Sequence, residues 1–452
     1  MEENYRIEKD SMGEMKVPAD KLWGAQTARS LKNFRIGGDL MPSVIVHALA
    51  MLKQATATAN RDLGKLDEAR RAAISEACAE VFTGKLDAHF PLSVWQTGSG
   101  TQTNMNVNEV VANRAMQLHP ELKIHPNDHV NMSQSSNDTF PSAISVSAVL
   151  TLEGLLLPAA EKLVKALSAL EERYAETPKV ARTHMQDAVP MTFGQELSGW
   201  RAAIESDIDG VQLSLHKLRA LPIGGTAVGN GLNCPDGFDE AVCAFMTEAC
   251  ATEFYPCENK FAGLGSKNAV LAAHGALKTL AADLHKLASD VRLLGSGPRC
   301  GIGELKLPAN EPGSSIMPGK VNPTQCEALI MVCHEVFGND AALTGACAAG
   351  VLELNVCMPL IAFRFLRSVY LLTDAMTSFT DNCLAGLTAD EAVMREYLER
   401  SLMTVTRLTP VIGYDAAAAA AKRALEENIT LREAVVGAGL MDADKYDEIM
   451  KL

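Results

Sequence analysis

Long segments in which apolar residues recur every three or four positions constrain the fold of this chain more than any other feature. The spacing is clearest over residues 277–294, where Lys278, Asp283 and Asp290 fall outside the repeat. The apolar positions of that segment are Leu277, Leu280, Leu284, Leu287, Val291 and Leu294. This 3.6-residue period is typical of an amphipathic helix. Strand-like alternation bounded by turns is scarce, so the sequence predicts an all-α fold.

Other segments with a helical pattern occupy much of the chain. They are residues 141–172, residues 323–350, and residues 44–82, which predict one or two helices. Residues 141–160 and 340–362 approach the apolar length of a membrane span, but charged residues and prolines interrupt both of them. We therefore predict that these segments are helices buried on all sides in a large bundle, and we expect no membrane association.

The length of 452 residues exceeds what one hydrophobic core normally serves, so several domains are expected. No fixed repeat or low-complexity linker marks the boundaries. The prediction has three parts: residues 1–135 form a mixed, mostly helical N-terminal domain, residues 136–390 a central long-helix bundle domain, and residues 391–452 a small C-terminal helical domain.

Composition excludes several classes of protein. The 41 Lys+Arg against 55 Asp+Glu give a formal net charge of −14, which argues against nucleic-acid binding. A hydrophobic content of 47% argues against disorder. None of the eleven cysteines forms the C-x-x-C pair that is common in zinc and iron-sulfur sites. The start at Met1 lacks the basic and then apolar run of a signal peptide, which favours a cytoplasmic protein with reduced thiols.

Four loops rich in hydroxyl and amide side chains adjoin apolar helices. They are residues 98–109, 133–138, 182–186 and 313–322. Asn322 before Pro323 is typical of a helix N-cap followed by proline at the first helical position. Asn137 and Asp138 ahead of Pro141 have a similar pattern. Free N–H groups at helix starts bind small anions such as carboxylates, although any single loop of this kind can also serve only to cap its own helix.

Known nucleotide and hydrolase motifs do not fit these loops. Five residues separate Gly313 from Gly319 and a valine follows Lys320, so the segment departs twice from the phosphate-binding loop. Gly98 and Gly100 lack the third glycine of the dinucleotide fingerprint, and the chain has no G-x-S-x-G motif.

One eleven-residue segment, Gly313-Ser-Ser-Ile-Met-Pro-Gly-Lys-Val-Asn-Pro323, closely resembles the signature of the fumarase/aspartase superfamily. The other three loops resemble the remaining blocks of that family in the same order, as do residues 6–13 and 408–414, so the resemblance covers essentially the whole chain. It implies an all-helical, three-domain fold whose central domains join into one bundle in a homotetramer. It also implies active sites built from three subunits, a small dicarboxylate substrate, and no metal or other cofactor.

Within the superfamily, the variable positions resemble the class II fumarate hydratases of the tricarboxylic acid cycle. These positions are Gly319, residues 324–327 (Thr-Gln-Cys-Glu), and Thr101 with Gln102. The sharpest marker is His184 after Thr183, because aspartases are expected to carry glutamine in place of that histidine. An aspartate ammonia-lyase is the alternative, and a non-enzymatic relative such as a lens crystallin is a more distant one.

The resemblance also implies roles for individual residues. Ser314 is similar to the catalytic base, Lys320 and Asn322 to the donors that stabilise the intermediate, and His184 with Glu327 to the pair that handles the water. The residues similar to the substrate-binding set are Ser99, Gly100, Thr101, Ser135, Ser136, Asn137, Thr183, Ser315, Lys320 and Asn322. A second anion site is implied at His125, Asn127 and Asp128.

Overall fold

Helices make up most of the computed structural model, which describes residues 4–450 of the chain. Residues 1–3, which contribute to the cytoplasmic prediction, lie outside the described residues. The α-helices of the described part are α1 (Ala25–Asn33), α2 (Ser43–Asp62), α3 (Glu68–Phe82), α4 (Thr101–Leu118), α5 (Ser136–Thr151), α6 (Leu157–Arg173), α7 (Phe193–Leu218), α8 (Phe238–Cys250), α9 (Lys260–Gly265), α10 (Asn268–Leu294), α11 (Thr324–Ala348), α12 (Met358–Asn382), α13 (Glu391–Arg400), α14 (Thr409–Ile412), α15 (Tyr414–Glu427), α16 (Leu431–Gly437) and α17 (Ala443–Met450). The predicted all-α class is confirmed.

Short strands form five two-stranded sheets in the same part of the chain. The strands are β1 (Tyr5–Asp10), β2 (Gly13–Pro18), β3 (Pro178–Thr183), β4 (Gln186–Thr192), β5 (Ala220–Leu221), β6 (Tyr255–Pro256), β7 (Leu305–Lys306), β8 (Gly350–Val351), β9 (Leu354–Asn355) and β10 (Thr388–Ala389). Strands β1 and β2, β3 and β4, β7 and β10, and β8 and β9 pair antiparallel, whereas β5 and β6 pair parallel. No pair is large enough to form a layer of its own, so packed helices supply the core.

The apolar period predicted several helices correctly. Residues 277–294 lie within α10, residues 44–82 form α2 and α3, and α11 covers most of residues 323–350. The break before α3 ends at Asp67, whose side chain accepts a hydrogen bond from the backbone N–H of Arg70 at 2.9 Å. Such a cap satisfies one of the free N–H groups of the first turn, which is why the helix begins there.

The prediction of a buried helix over residues 340–362 is wrong. The hairpin of β8 and β9 separates α11 from α12. The Asn355 side chain donates hydrogen bonds to the carbonyls of Ala346 at 2.9 Å and Cys347 at 3.3 Å, and so satisfies acceptors at the end of α11. Leu352 adopts a φ of +52° in the turn between the strands. The apolar run thus contains a tight turn that its hydropathy does not reveal.

Residues 141–172 belong to one helical stretch, Ser136–Arg173, in which a π-helical turn at Leu152–Leu156 joins α5 to α6. Within residues 4–450, this stretch alone is long and apolar enough to cross a membrane, and 72% of its most apolar window is buried inside the protein. That burial agrees with the predicted core helix.

The described chain divides into two compact units, each built from three parts of the sequence. Unit 1 comprises the chain up to Pro158, Asp209–Ala281 and His334–Thr373. Its core forms where α2 packs against α3, α5 and α8. The side chains of Ile45, Leu49 and Leu52, at helical spacing on one face of α2, are fully buried. Burial of each side chain of this kind stabilises the fold by about 1.5–3 kcal/mol.

Unit 2 comprises Ala159–Ile208, Ala282–Cys333 and the chain from Asp374 onward. Its C-terminal part has an apolar cluster of its own, in which α15 packs against α16. The buried members of the cluster are Val405, Leu408, Ala417, Ala420, Leu431, Val435 and Tyr446. This small core lies within the predicted C-terminal domain, while the three-domain organisation itself stays a prediction.

All eleven cysteines lie within the described residues and are free thiols. Burial raises the pKa of Cys78, Cys243 and Cys333 to about 12 in each case. These thiols therefore stay protonated near neutral pH and act as small core residues.

Candidate active site

The first polar loop is packed tightly at the start of α4 in unit 1. Gly100 has a φ of +74°, and a Cβ atom at this position would clash with the Phe140 ring. Both constraints require glycine. Ser99 Oγ lies 2.9 Å from Thr101 Oγ1, so two predicted binding hydroxyls contact each other directly. The loop thus presents its hydroxyl groups from a fixed backbone.

The predicted helix start at Asn137 and Asp138 is too late in the sequence. Ser135 caps α5: its Oγ accepts from the Asn137 N–H at 3.2 Å, and its own N–H donates to the Asp138 carboxylate at 2.9 Å. This reciprocal arrangement is a capping box, and its S-x-x-D pattern is visible in the sequence. Pro141 consequently lies inside the helix and not at its start.

Asp138 is fully buried and ties the start of α5 to a neighbouring loop of unit 1. Its Oδ2 accepts from the backbone N–H groups of Gly224 at 3.1 Å and Thr226 at 2.8 Å. Burial raises the pKa of Asp138 to about 6, although hydrogen bonds to the carboxylate oppose that shift. The Asn137 side chain donates to the Ala227 carbonyl at 2.8 Å. The predicted binding residues at this helix start therefore have a rigid support.

The predicted second anion site lies at the π-helical turn Pro126–Val130, also in unit 1. His125 caps this turn, since its Nδ1 accepts from the N–H groups of Asn127 at 3.3 Å and Asp128 at 3.2 Å. The His125 N–H in turn donates to His129 Nδ1 at 2.8 Å. The imidazole thus accepts hydrogen bonds from the two backbone N–H groups that an anion would need. The second anion site stays a prediction.

His184 lies at the tip of the hairpin formed by β3 and β4 in unit 2. Thr183 pairs with Gln186, which leaves His184 and Met185 as a two-residue turn. Their φ angles are +56° and +60°, a pair that is typical of a type I′ turn and is normally supplied by Asn-Gly. Strained backbone of this kind costs about 1–3 kcal/mol per residue and clusters at functional sites. The imidazole at the tip of this hairpin is exposed.

The predicted N-cap role of Asn322 is wrong. Helix α11 begins at Thr324, and Asn322 Nδ2 instead donates to the Gly313 carbonyl at 2.7 Å. The Gly313 N–H donates to the Lys320 carbonyl at 2.9 Å, so two hydrogen bonds close residues 313–322 into a loop. A Cβ atom at Gly313 would clash with that same carbonyl, which explains the need for glycine.

Ser314 lies at the start of this closed loop. Its Oγ accepts hydrogen bonds from the backbone N–H groups of Ile316 at 3.2 Å and Met317 at 3.1 Å. The adjacent Ser315 is exposed. Two amide donors directed at one hydroxyl oxygen stabilise negative charge on that oxygen. Ser314 is therefore suited to giving up its proton.

Lys320 and Glu327 lie on either side of the loop closure. Lys320 is exposed, and among residues 4–450 no carboxylate lies within ion-pair distance of its ammonium group. Glu327 is half-buried in the first turn of α11, where its N–H donates to the Pro323 carbonyl at 3.1 Å. Over the same residues, neither side chain forms a hydrogen bond with His184.

A buried ionic cluster supports the His184 hairpin within unit 2. Glu304 is completely buried, and its carboxylate lies 3.0 Å from Lys179 Nζ and 2.8 Å from Arg182 Nη2, both on β3. Lys179 also pairs with Glu196. The Arg182 guanidinium lies 5.6 Å from the centre of the Tyr397 ring. Glu304 does not belong to any motif that the sequence analysis identified. Its only sequence signal is that it is a lone acidic residue between short apolar segments.

We expect Glu304→Gln to lower the melting temperature by roughly 5–10 °C, because removing one member of a buried ionic cluster leaves its partners uncompensated. Differential scanning calorimetry at matched protein concentration measures the effect. Glu399→Gln, at an exposed position on α13, is the control and should melt like the wild type. An unchanged melting temperature for Glu304→Gln would show that the cluster does not stabilise the hairpin.

The predicted residues fall into two groups. Unit 1 carries those of residues 98–101, 125–128 and 135–137, and unit 2 carries Thr183, His184 and the group from Ser314 to Glu327. Within residues 4–450, no three His, Cys, Asp or Glu side chains are placed to share a metal ion. The expectation of a reaction without metal or cofactor stays a prediction.

Comparison with protein families finds two matches. The model of a lyase family matches residues 13–338, more than two thirds of the chain. A model described as the C-terminus of fumarase C matches residues 405–452.

Similar proteins extend over the full length of the chain. A class II fumarate hydratase of Thermosynechococcus vestitus is 54% identical over 457 residues, which cover 100% of this chain and 98% of the relative. The class II fumarate hydratase of Bacillus subtilis is 52% identical, and the match covers 99% of this chain and 98% of that relative. The crystal structure of a class II fumarase from Schistosoma mansoni has a TM-score of 0.96 and 45% identity, and the match covers 99% of this chain and 98% of that one.

Proposed function

Because the chain belongs to the class II fumarate hydratase family, we propose that it catalyses the reversible conversion of (S)-malate into fumarate and water, a step of the tricarboxylic acid cycle. One observation carries the proposal: 54% identity, over the whole chain, to a protein named class II fumarate hydratase. The candidate residues of unit 1 and of unit 2 include the hydrogen-bond donors and the proton-transfer groups that this reaction requires.

The reaction removes a proton from the carbon next to one carboxylate and then expels the hydroxyl from the neighbouring carbon. Proton removal places a second negative charge on that carboxylate, and preorganised donors must stabilise the resulting aci-carboxylate. The free ammonium of Lys320 supplies positive charge for this purpose. Asn322 gives one amide N–H to Gly313 and retains the other for the substrate.

Ser314 is the proposed base that takes the carbon proton. A hydroxyl is a weak base unless its deprotonated form is stabilised. The amides of Ile316 and Met317 donate to Oγ, and Lys320 adds positive charge from the same loop. In the hydration direction Ser314 returns the proton to carbon.

His184 is the proposed group at the other end of the substrate. In malate dehydration it donates a proton to the departing hydroxyl, which leaves as water, and in hydration it takes a proton from the attacking water. An imidazole exchanges protons near neutral pH and suits this role. Glu327 is the proposed partner that orients the ring. Since no hydrogen bond joins the two side chains within one chain, the pair would form between subunits.

The remaining residues of the proposed site bind the substrate. Their hydroxyl, amide and backbone groups supply donors for two carboxylates without a large net charge, which suits an acidic protein. They are Ser99, Gly100, Thr101, Ser135, Ser136, Asn137, Thr183 and Ser315. His125, Asn127 and Asp128 are proposed to bind a further anion after the His125 ring turns away from the amides that it caps.

We further propose a homotetramer in the cytoplasm, with each active site shared by three subunits. Apolar side chains that remain exposed in the single chain support an extensive interface. The four most exposed of them are Leu352, Ile316, Leu213 and Met12. Analytical ultracentrifugation at micromolar concentration should give four chain masses, and a stable, active monomer would contradict the shared site.

The proposed activity is tested by the ultraviolet absorbance of fumarate formed from L-malate or L-aspartate at matched concentrations. We expect fumarate to appear faster from malate, with activity retained in a strong chelator. Faster formation from aspartate would favour the ammonia-lyase alternative, and no turnover of either would favour a structural role. Activity lost on chelation and restored by iron would contradict a metal-independent reaction.

A further inference from the structure

Lys53 of α2 is a buried amine without a carboxylate partner. It is completely buried in unit 1, and its Nζ donates to Asn131 Oδ1 at 2.9 Å and Gln134 Oε1 at 2.8 Å. Over the described residues no carboxylate lies within ion-pair distance of it. Desolvation lowers the pKa of Lys53 to about 7, and the negative charge of Asp138 opposes that shift. Burying an apolar side chain at this position would cost less free energy than burying an amine, so the presence of Lys53 requires an explanation.

Asn131 connects this amine to the start of α5. Its Oδ1 accepts from three donors: Lys53, Asn104 at 3.1 Å and Asn108 at 3.1 Å. Asn104 Nδ2 also donates to Ser136 Oγ at 3.1 Å, and Ser136 belongs to the proposed substrate-binding set. Three consecutive hydrogen-bonded contacts therefore lead from Lys53 to a substrate-binding hydroxyl. Asn104 lies on α4, the helix that begins at the first polar loop.

Gln134 forms a second connection to the same place. Its Oε1 accepts from Lys53, while its Nε2 lies within hydrogen-bond distance of Thr56 Oγ1 at 3.0 Å and of the carbonyls of Val130 at 3.2 Å and Met132 at 3.0 Å. These contacts fix the segment that immediately precedes Ser135, the N-cap of α5. Lys53 thus binds Asn131, which contacts Ser136 through Asn104, and it binds Gln134 in the segment just before α5.

We propose that Lys53 is a positioning residue for substrate binding: through Asn131 and Gln134 it sets the place of Ser135, Ser136 and Asn137. The inference rests on the proposed function, because it takes these three residues to bind the dicarboxylate. Lys53 itself is completely buried and does not touch the substrate. Buried polar networks of this kind specify one arrangement of the groups that they connect.

The test compares Lys53→Met with the wild-type enzyme. Methionine has a similar length and suits the buried position, but it leaves Gln134 Oε1 without its donor. We expect KM for fumarate and malate to rise about tenfold, the effect of one lost hydrogen bond to a charged group, while kcat changes about twofold or less. Lys65→Met, at an exposed lysine just after α2, is the control and should leave KM unchanged.

A double-mutant cycle with Ser136→Ala separates positioning from a general loss of packing. If Lys53 acts through Ser136, Lys53→Met should raise KM much less in the Ser136→Ala background than in the wild type. The proposal would be overturned if the effects of the two substitutions on KM were fully additive, or if a folded Lys53→Met enzyme had an unchanged KM. Asn104→Leu, which breaks the connection to Ser136 and leaves Lys53 in place, should raise KM similarly, and it tests the proposal if Lys53→Met does not fold. Inactive wild-type protein would instead contradict the proposed function itself.

Discussion

Replacing Ser314 with alanine is expected to lower kcat for malate dehydration by about 10² to 10⁴, the usual effect of losing a general base. The hydroxyl oxygen accepts two backbone N–H groups and lies in the same closed loop as Lys320. Alanine removes the atom that we propose takes the carbon proton, but it leaves the proposed donors for the substrate carboxylate in place. KM should therefore change much less than kcat. Steady-state kinetics with malate and with fumarate measures both constants.

The matched control for this change is Ser168→Ala. The Ser168 hydroxyl donates only to the Val164 carbonyl within α6, at 2.9 Å, and alanine favours a helix. This variant should retain wild-type kcat. Near wild-type turnover in folded, oligomeric Ser314→Ala would remove Ser314 from the mechanism and leave His184 as the base.

The long helix α10 could be predicted because its apolar residues recur with the helical period, and α11 because its apolar segment is long, whereas the ends of helices depend on local contacts. Hydropathy alone could not place the hairpin within residues 340–362, where a single side chain, Asn355, satisfies carbonyls at the end of α11. The start of α5 was predicted at Asn137 on the strength of a downstream proline. The S-x-x-D pattern beginning at Ser135 is the stronger signal, since a capping box satisfies two N–H groups at once.

Sequence patterns predict candidate site residues that lie close together in the chain, but they do not identify supporting contacts between residues that are far apart in the sequence. Residues 313–322 carry their glycines, hydroxyl and lysine in one segment. Lys53 and Glu304 instead act on partners that lie far from them in the sequence: Lys53 is 81 residues from Gln134, its farther hydrogen-bond partner. A lone charged residue in an apolar segment indicates only that a partner must exist, and the fold identifies that partner.

The strained turn at His184 was also outside the reach of sequence patterns. Histidine followed by methionine has no resemblance to the Asn-Gly pair that type I′ turns prefer. The conformation persists because β3 and β4 pair on both sides of the turn and Glu304 holds β3 through Lys179 and Arg182. Strain that the surrounding structure maintains in this way points to a function for the side chain at the tip.

Replacing His184 with glutamine is expected to lower kcat for malate dehydration by about 10² to 10⁴, because glutamine forms hydrogen bonds but cannot exchange a proton near neutral pH. Aspartate brings an ammonium leaving group of its own, so an ammonia-lyase does not need this imidazole. The same change therefore distinguishes the two lyases. Formation of fumarate from L-malate and from L-aspartate, followed by ultraviolet absorbance, measures both activities in the variant and the wild type.

Met185→Gln is the matched control, because Met185 occupies the neighbouring position of the same turn, with a φ of +60° against +56° for His184. Both variants place glutamine in left-handed backbone at the hairpin tip, so any loss from added strain is common to them. A loss confined to His184→Gln assigns the effect to the imidazole. An equal loss in both variants would assign it to the hairpin backbone, and full malate activity in His184→Gln would remove the imidazole from the handling of water.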